Sequence, residues 1–232
     1  DYFSSAAKRR NKVDEALDPK GKTIQCSNKT PIVVAMDVTR SRGDDSKIVY
    51  TKLPMFVGQI NLQGYVDDPG FSFSAIGDVD SDKAPLQIGD FAADNSLDDI
   101  LAKMWLEEGG GGTGQESYEL AAYYYAKHAS LDCNNNGEKG YFFFVGDEGF
   151  YPQVAVERVR EVIGDELDAP LQSSDIFEEL KQKFHVFFIY PQKTWESRKA
   201  DIDAEIRARV LAAGGQVDNV DIRVSLLWNN YN

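Results

Sequence analysis

The run Pro31-Ile32-Val33-Val34-Ala35-Met36, closing on Asp37-Val38-Thr39-Arg40-Ser41, constrains this chain more than any other stretch. It lies between Lys29-Thr30-Pro31 and the turn Arg42-Gly43-Asp44-Asp45. An unbroken apolar run of that length, rich in β-branched side chains, predicts a strand buried on both faces. Such a strand belongs in the middle of a covered sheet. It ends in a carboxylate, and open α/β sheets gather their ligands beyond the carboxyl ends of the strands. Asp37, Thr39 and Ser41 fall on alternate positions, so a tight loop can turn all three to one side. One carboxylate and two hydroxyls are hard oxygen donors, suited to Mg²⁺, Mn²⁺ or Ca²⁺.

The rest of the chain supplies partners for that strand. Ser46–Leu62 carries Ile48, Val49, Leu53, Phe56, Val57 and Ile60 at helical spacing, with Pro54 predicting a kink or a late start. Gly70–Gly77 alternates large apolar with small residues and reads as a strand, followed by a short partner strand at Leu86–Phe91. Helices are predicted at Leu97–Leu106, behind Asn95-Ser96 with Asp98 and Asp99 in the first turn, and at Ser117–His128. Tyr141-Phe142-Phe143-Phe144-Val145 is a second fully apolar strand, ending in Gly146-Asp147-Glu148-Gly149. Helices over Pro152–Ile163 and Ser173–Phe184, a strand over His185–Tyr190, a helix over Glu196–Ala213 and a strand over Ile222–Trp228 complete the reading. The alternation predicts an α/β fold with a doubly wound, mostly parallel central sheet and helices on both faces. Residues 1–30, with seven Lys/Arg against four Asp/Glu, read as an amino-terminal arm. Residues 31–232 read as a single domain, in which 191–232 either extend the sheet or form a carboxyl-terminal extension.

Composition removes whole classes of function. A net charge of −13 argues against nucleic acid as a partner, which needs a basic footprint. No stretch approaches the roughly 20 apolar residues of a membrane span. Cys26 and Cys133 stand far apart without metal-ligand spacing, which predicts two free thiols and a cytoplasmic setting. Asp78-Val79-Asp80-Ser81-Asp82 is dense in carboxylates but lacks the Gly at the sixth position and the Glu at the twelfth of an EF-hand loop. The glycines Gly109 to Gly112 precede a helix, yet the Lys of a phosphate loop is missing, and the loop is read as presenting Thr113 to a metal. His128 and His185 read as structural, and no Gly-x-Ser-x-Gly elbow exists.

Three separated pieces therefore each bring a hard oxygen donor to an element edge: Asp37-x-Thr39-x-Ser41, Thr113 after the glycines, and Asp147 after the second apolar strand. Their order and context resemble the von Willebrand factor A domain family with its metal-ion-dependent adhesion site. The resemblance covers roughly residues 30 to 190. It implies the family's Rossmann-like fold and a site in which Asp37, Thr39, Ser41, Thr113 and Asp147 surround one divalent cation, most naturally Mg²⁺. Thr39 departs from the usual Ser, keeping the hydroxyl and adding a methyl. Asp44, Asp45 and Glu148 would then act around the site through water. Ala75-Ile76-Gly77-Asp78, Ala84-Pro85-Leu86-Gln87, Gly109–Gly112 before Glu116-Ser117-Tyr118, and Val145-Gly146-Asp147-Glu148 are similar to stretches in bacterial and phage proteins of this kind.

In the family, an acidic side chain from another protein fills the vacant metal position. The resemblance thus implies a non-catalytic adaptor that binds a protein partner, in a setting that often includes an ATPase. Two other readings stand beside it. One is a Mg²⁺-dependent phosphatase or phosphotransferase of the haloacid-dehalogenase type with Asp37 as nucleophile; against it, Thr39 occupies the place of the usual second Asp. The other is a structural or assembly protein with a vestigial metal site.

Overall fold

A computed structural model of the chain describes residues 13–39, 44–106 and 115–189. In chain order these form β1 (Ile24–Cys26), β2 (Thr30–Asp37), α1 (Asp44–Gln63), β3 (Pro69–Ile76), β4 (Leu86–Ile88), α2 (Ser96–Lys103) and β5 (Gln115–Glu116). There follow α3 (Tyr118–His128), β6 (Ala129–Leu131), β7 (Gly140–Val145), β8 (Gly149–Phe150), β9 (Gln153–Val154), α4 (Val156–Val162), β10 (Leu171–Gln172), α5 (Ser173–Lys183) and β11 (Phe184–Ile189).

Five strands make the main sheet in the order β11-β7-β2-β3-β4. The long apolar run is its central strand, and from Pro31 to Asp37 every residue of β2 is buried. Successive side chains of a strand point to opposite faces, and β2 divides its residues accordingly. Val33 and Ala35 enter one core with Phe142, Phe144 and the residues of α3. Ile32, Val34 and Met36 enter a second core with Tyr50 and Leu53 of α1 and Leu97 and Leu101 of α2. Helix α1 continues through Pro54. The lost backbone bond there is offset by the burial of Tyr50 and Leu53 against the sheet.

The small residues of β3 have a specific use. Phe71, Phe73 and Ala75 pack into the second core. Ser72 and Ser74 face the other way, where the Tyr125 hydroxyl lies 2.6 Å from Ser72 Oγ and 2.5 Å from Ser74 Oγ. The alternation seen in the sequence is therefore an apolar face against a polar socket for one buried tyrosine.

The expected doubly wound, mostly parallel sheet is corrected by this topology. The sheet is mixed: β11, β7, β2 and β3 pair in parallel, but β4 returns antiparallel to β3, with Ser74 opposite Ile88 and Ile76 opposite Leu86. The connection over residues 77–85 holds no helix, and a parallel return needs a crossover of a dozen or more residues. Three further two-stranded sheets stand apart from it, β1 with β6, β5 with β8 and β9 with β10. Strands of two or three residues are too short to leave a periodic trace in the sequence. The expected helix over Pro152–Ile163 begins only at Val156, because Gln153 and Val154 pair with Gln172 and Leu171. The helix expected over 196–213 and the strand over 222–228 lie outside the described residues. Among the described residues no helix is long and apolar enough to cross a membrane.

Candidate cation site

Register sets the site. β2 and β3 run in parallel with Asp37 opposite Ile76, and β2 and β7 with Met36 opposite Val145. The carboxyl ends of three strands therefore coincide, and Asp37, which ends β2, shares one edge of the sheet with Asp78 and Asp147, which lie two residues beyond β3 and β7. Asp37 is 1% exposed and Thr39 equally buried. Asp37 Oδ1 accepts hydrogen bonds from the Thr39 amide at 2.8 Å and the Thr39 hydroxyl at 2.7 Å. This folds the Asp-x-Thr turn onto itself, so the two donors expected from the sequence are brought together. Asp147 sits half-buried past the end of β7, with Glu148 beside it at similar exposure. Asp44 and Asp45 open helix α1. Ser41 and Thr113, the remaining expected ligands, lie outside the described residues.

Tyr118, the first residue of α3, donates to Asp37 Oδ2 over a long 3.5 Å contact. It reaches that far because residue 146 is glycine: a Cβ there would stand 1.7 Å from the Tyr118 hydroxyl. The Gly-Asp pair after β7 thus serves twice, opening space with Gly146 and offering a carboxylate with Asp147.

Sequence reasoning named Glu116 only within the stretch Glu116-Ser117-Tyr118 and gave it no place at this edge. It lies in β5 at the mouth of α3, is 3% exposed, and its Oε2 is buried with no hydrogen-bond partner among the described residues. Burial, with the charges of Asp37 and Asp82, pushes its carboxyl up to about 9 against a hydrogen bond with Thr39 that pulls the other way. Nothing in its spacing marks it, since a lone Glu after a glycine-rich loop reads as solvated. Its burial comes from the pairing of β5 with β8, which places Glu116 opposite Phe150.

The acidic loop 78–82 borders the same edge. Asp78 accepts from the Asp80 amide at 3.0 Å, from the Ser81 hydroxyl at 3.0 Å and from the Tyr151 hydroxyl at 2.7 Å. Its oxygens are engaged both by its own turn and by Tyr151. Asp82 Oδ2 accepts the Asp78 amide at 2.7 Å, while its Oδ1 is buried without a hydrogen-bond partner among the described residues. Burial leads in raising the Asp82 carboxyl above its ordinary value. Asp80 is neutralised by Arg158, whose guanidinium stands 2.6 Å from Asp80 Oδ2 and 3.8 Å over the Tyr151 ring.

Glu116 Oε2 and Asp82 Oδ1 are thus two buried carboxylate oxygens without a hydrogen-bond partner among the described residues. Among the described residues neither Glu116 nor Asp82 forms an ion pair. No group of three or more His, Cys, Asp or Glu among the described residues is drawn together as a ready metal cluster. The site expected from the sequence depends instead on two carboxylates and three hydroxyls.

No family model matches the chain, and no curated protein matches it. Among solved structures it is similar to the pilus adhesin SpaC from Lactobacillus rhamnosus GG. The first similarity is to one form of that adhesin, at a TM-score of 0.50 and 11% identity over 81% of this chain. The second is to the open conformation, at a TM-score of 0.39 and 14% identity over 55% of this chain. The chain spans 28% and 16% of the adhesin's length in the two comparisons. At such identity the first likeness concerns the fold alone.

Proposed function

We propose that the chain is a non-catalytic protein-interaction module of the von Willebrand factor A kind, holding one divalent cation at the edge where β2, β3 and β7 end. Mg²⁺, with Mn²⁺ or Ca²⁺ as substitutes, would be held by Asp37, Thr39 and Asp147, joined by Ser41 and Thr113. The observation that carries the reading is the buried Asp37–Thr39 turn, set by strand register at the same edge as Asp147. Bound there, the cation would supply an electrophilic centre for an incoming oxygen. Two carboxylates against a doubly charged ion leave little net charge, so a partner's acidic side chain is attracted to the open position. The partner is another protein, with an ATPase-containing assembly as one setting. Thr39 supports this reading over Asp37 as a phosphoryl-accepting nucleophile, because its hydroxyl caps Asp37 where a phosphatase would need a second acid.

Titration calorimetry of metal-free protein with Mg²⁺ and Mn²⁺ tests the proposal, comparing wild type with Asp37→Ala. One binding event, lost in the variant and without hydrolysis of a generic phosphate ester, is expected. A partner pull-down should then fail in chelator. Phosphate release dependent on Asp37 would replace the proposal with an enzyme.

A further inference from the structure

We infer that the outward face of α1 is a docking surface for a second copy of this chain, the two helices crossing antiparallel beside Gly58. Helix α1 sets Tyr50, Leu53, Val57 and Ile60 against the second core. At 3.6 residues per turn this turns Thr51, Met55, Gly58, Gln59 and Leu62 the other way, and all five are exposed. Met55 is 58% exposed and Leu62 76%; they stand about 10 Å apart along the axis. Tyr65, just past the helix end, is 72% exposed. The outward face of a surface helix ordinarily collects charge. Here no charged residue stands between Lys52 and Asp67, in a chain that is 27% charged with a net charge of −13. An apolar, uncharged stripe on so acidic a chain marks a protein contact. Gly58 points the same way. It lies inside the helix, where Gly is less favourable than Ala, and a Cβ there would meet nothing within 4 Å. The chain's own packing does not call for glycine at 58. A second backbone approaching closely does.

The pattern of the stripe identifies its occupant. In a twofold contact, residue i of one copy meets j of the other, and j meets i. Antiparallel crossing beside Gly58 lays Met55 of each copy against Leu62 of the other, so one operation covers both large apolar side chains. The same operation carries Lys52 of each copy to the carboxyl end of the other copy's helix, where Asp67 and Asp68 follow. Asp67 is available there: it shares a surface contact with Lys29 at 2.6 Å while its side chain stays 77% exposed. The charges that bound the stripe are therefore opposite in sign and exchange places under the twofold. Parallel pairing would instead set Lys52 against Lys52 and Asp67 against Asp67. Antiparallel helices also oppose their dipoles. The face is complementary to itself. Single helix faces bury less than the about 800 Å² per partner of a standard interface, so the dimer exchanges with the monomer. The inference is independent of the cation-site reading.

Sedimentation equilibrium of the full chain in chelator, up to about 1 mM, tests this with wild type, Leu62→Asp, Lys52→Glu, Asp67→Lys and the double variant Lys52→Glu/Asp67→Lys. Wild type should show a monomer–dimer equilibrium. Leu62→Asp should weaken it about tenfold or more by bringing an unpaired charge into the contact. Its urea midpoint should stay at the wild-type value, because residue 62 is exposed in the single chain. Each charge reversal alone should weaken the dimer, and the double variant should recover most of the loss, since it restores opposite charges across the twofold. Gly58→Cys under a mild oxidant should give a disulfide-linked dimer, whereas Gln182→Cys, at an exposed position on α5, should not. The native Cys26 and Cys133 are buried and should leave wild type uncrosslinked. A monomer at every concentration would overturn the inference, and slow peroxide oxidation of its Met55 would then assign the face to an occupant other than a second copy. Dimerisation indifferent to Leu62→Asp would overturn it by placing the contact elsewhere. Loss in both single reversals without recovery in the double variant would overturn the antiparallel crossing.

Discussion

Replacing Glu119 with Gln isolates what burial does to the acids of this edge. Glu119 lies in the first turn of α3 with no exposed surface. Its Oε2 accepts the Tyr151 amide at 3.3 Å, and its Oε1 has no hydrogen-bond partner among the described residues. Burial pushes the carboxyl from 4.5 up to about 8, opposed by backbone amides and by Arg158. The folded value thus lies above the unfolded one, and the fold favours the protonated form. That stability is fully present below pH 4.5 and is lost as pH rises through 8. One proton held by the folded chain and not by the unfolded one costs about 1.4 kcal/mol of stability for every pH unit climbed. Wild type should therefore lose about 3 kcal/mol between pH 5 and pH 8 relative to the variant. Gln keeps the shape and cannot ionise, while Glu116 and Asp82 titrate in both proteins and cancel. Urea unfolding of the pair at pH 5, 6.5 and 8 measures the difference directly. A difference that stays constant with pH would refute the reasoning, showing that Glu119 is solvated or compensated in the fold.

Gly146→Ala should destabilise the chain by about 1–3 kcal/mol, as overpacking of a filled interior does. The new methyl would stand 1.7 Å from the Tyr118 hydroxyl, and that ring is held edge-on by Phe144 and Phe188 at 5.8 and 5.4 Å. Thermal unfolding checks this, and an unchanged midpoint would contradict the close approach. Tyr125→Phe should cost about 1–3 kcal/mol by stranding buried hydroxyl groups. Ser72 keeps its bond to the Gly89 carbonyl at 2.6 Å, so the loss should fall on Ser74, and adding Ser74→Ala should recover part of it in urea unfolding.

The strands of the main sheet were legible because burial on both faces leaves an unbroken apolar run, as in Ile32–Met36 and Phe142–Val145. The position of Asp37 and Asp147 at one sheet edge was legible for a related reason, since one ends such a run and the other stands two residues past one. The direction of β4 was open to argument from the short 77–85 connection, yet a strand's apolar pattern carries no sign of parallel or antiparallel pairing. The burial of Glu116 was hidden, because it depends on which backbone lies beside it. The β5–β8 pairing spans Gln115 with Gly149 and Glu116 with Phe150, and two residues give no period to read. Tyr118 and Tyr125 read from the sequence only as helix residues facing a sheet; that their hydroxyls reach Asp37 and the β3 serines follows from register, which the sequence does not display.

Those two tyrosines have a mechanical consequence. They stand seven positions apart on α3, two turns and about 10 Å along the helix axis. Tyr118 touches the end of β2 and Tyr125 the middle of β3, and both are buried. The helix therefore acts as a gauge bar laid across the sheet, clamped at two points of fixed spacing. A slip of one turn, about 5.4 Å, would pull both hydroxyls from their sockets at once. Movement along α3 and distortion of the Asp37 turn are thereby a single degree of freedom, and force applied to one is delivered to the other.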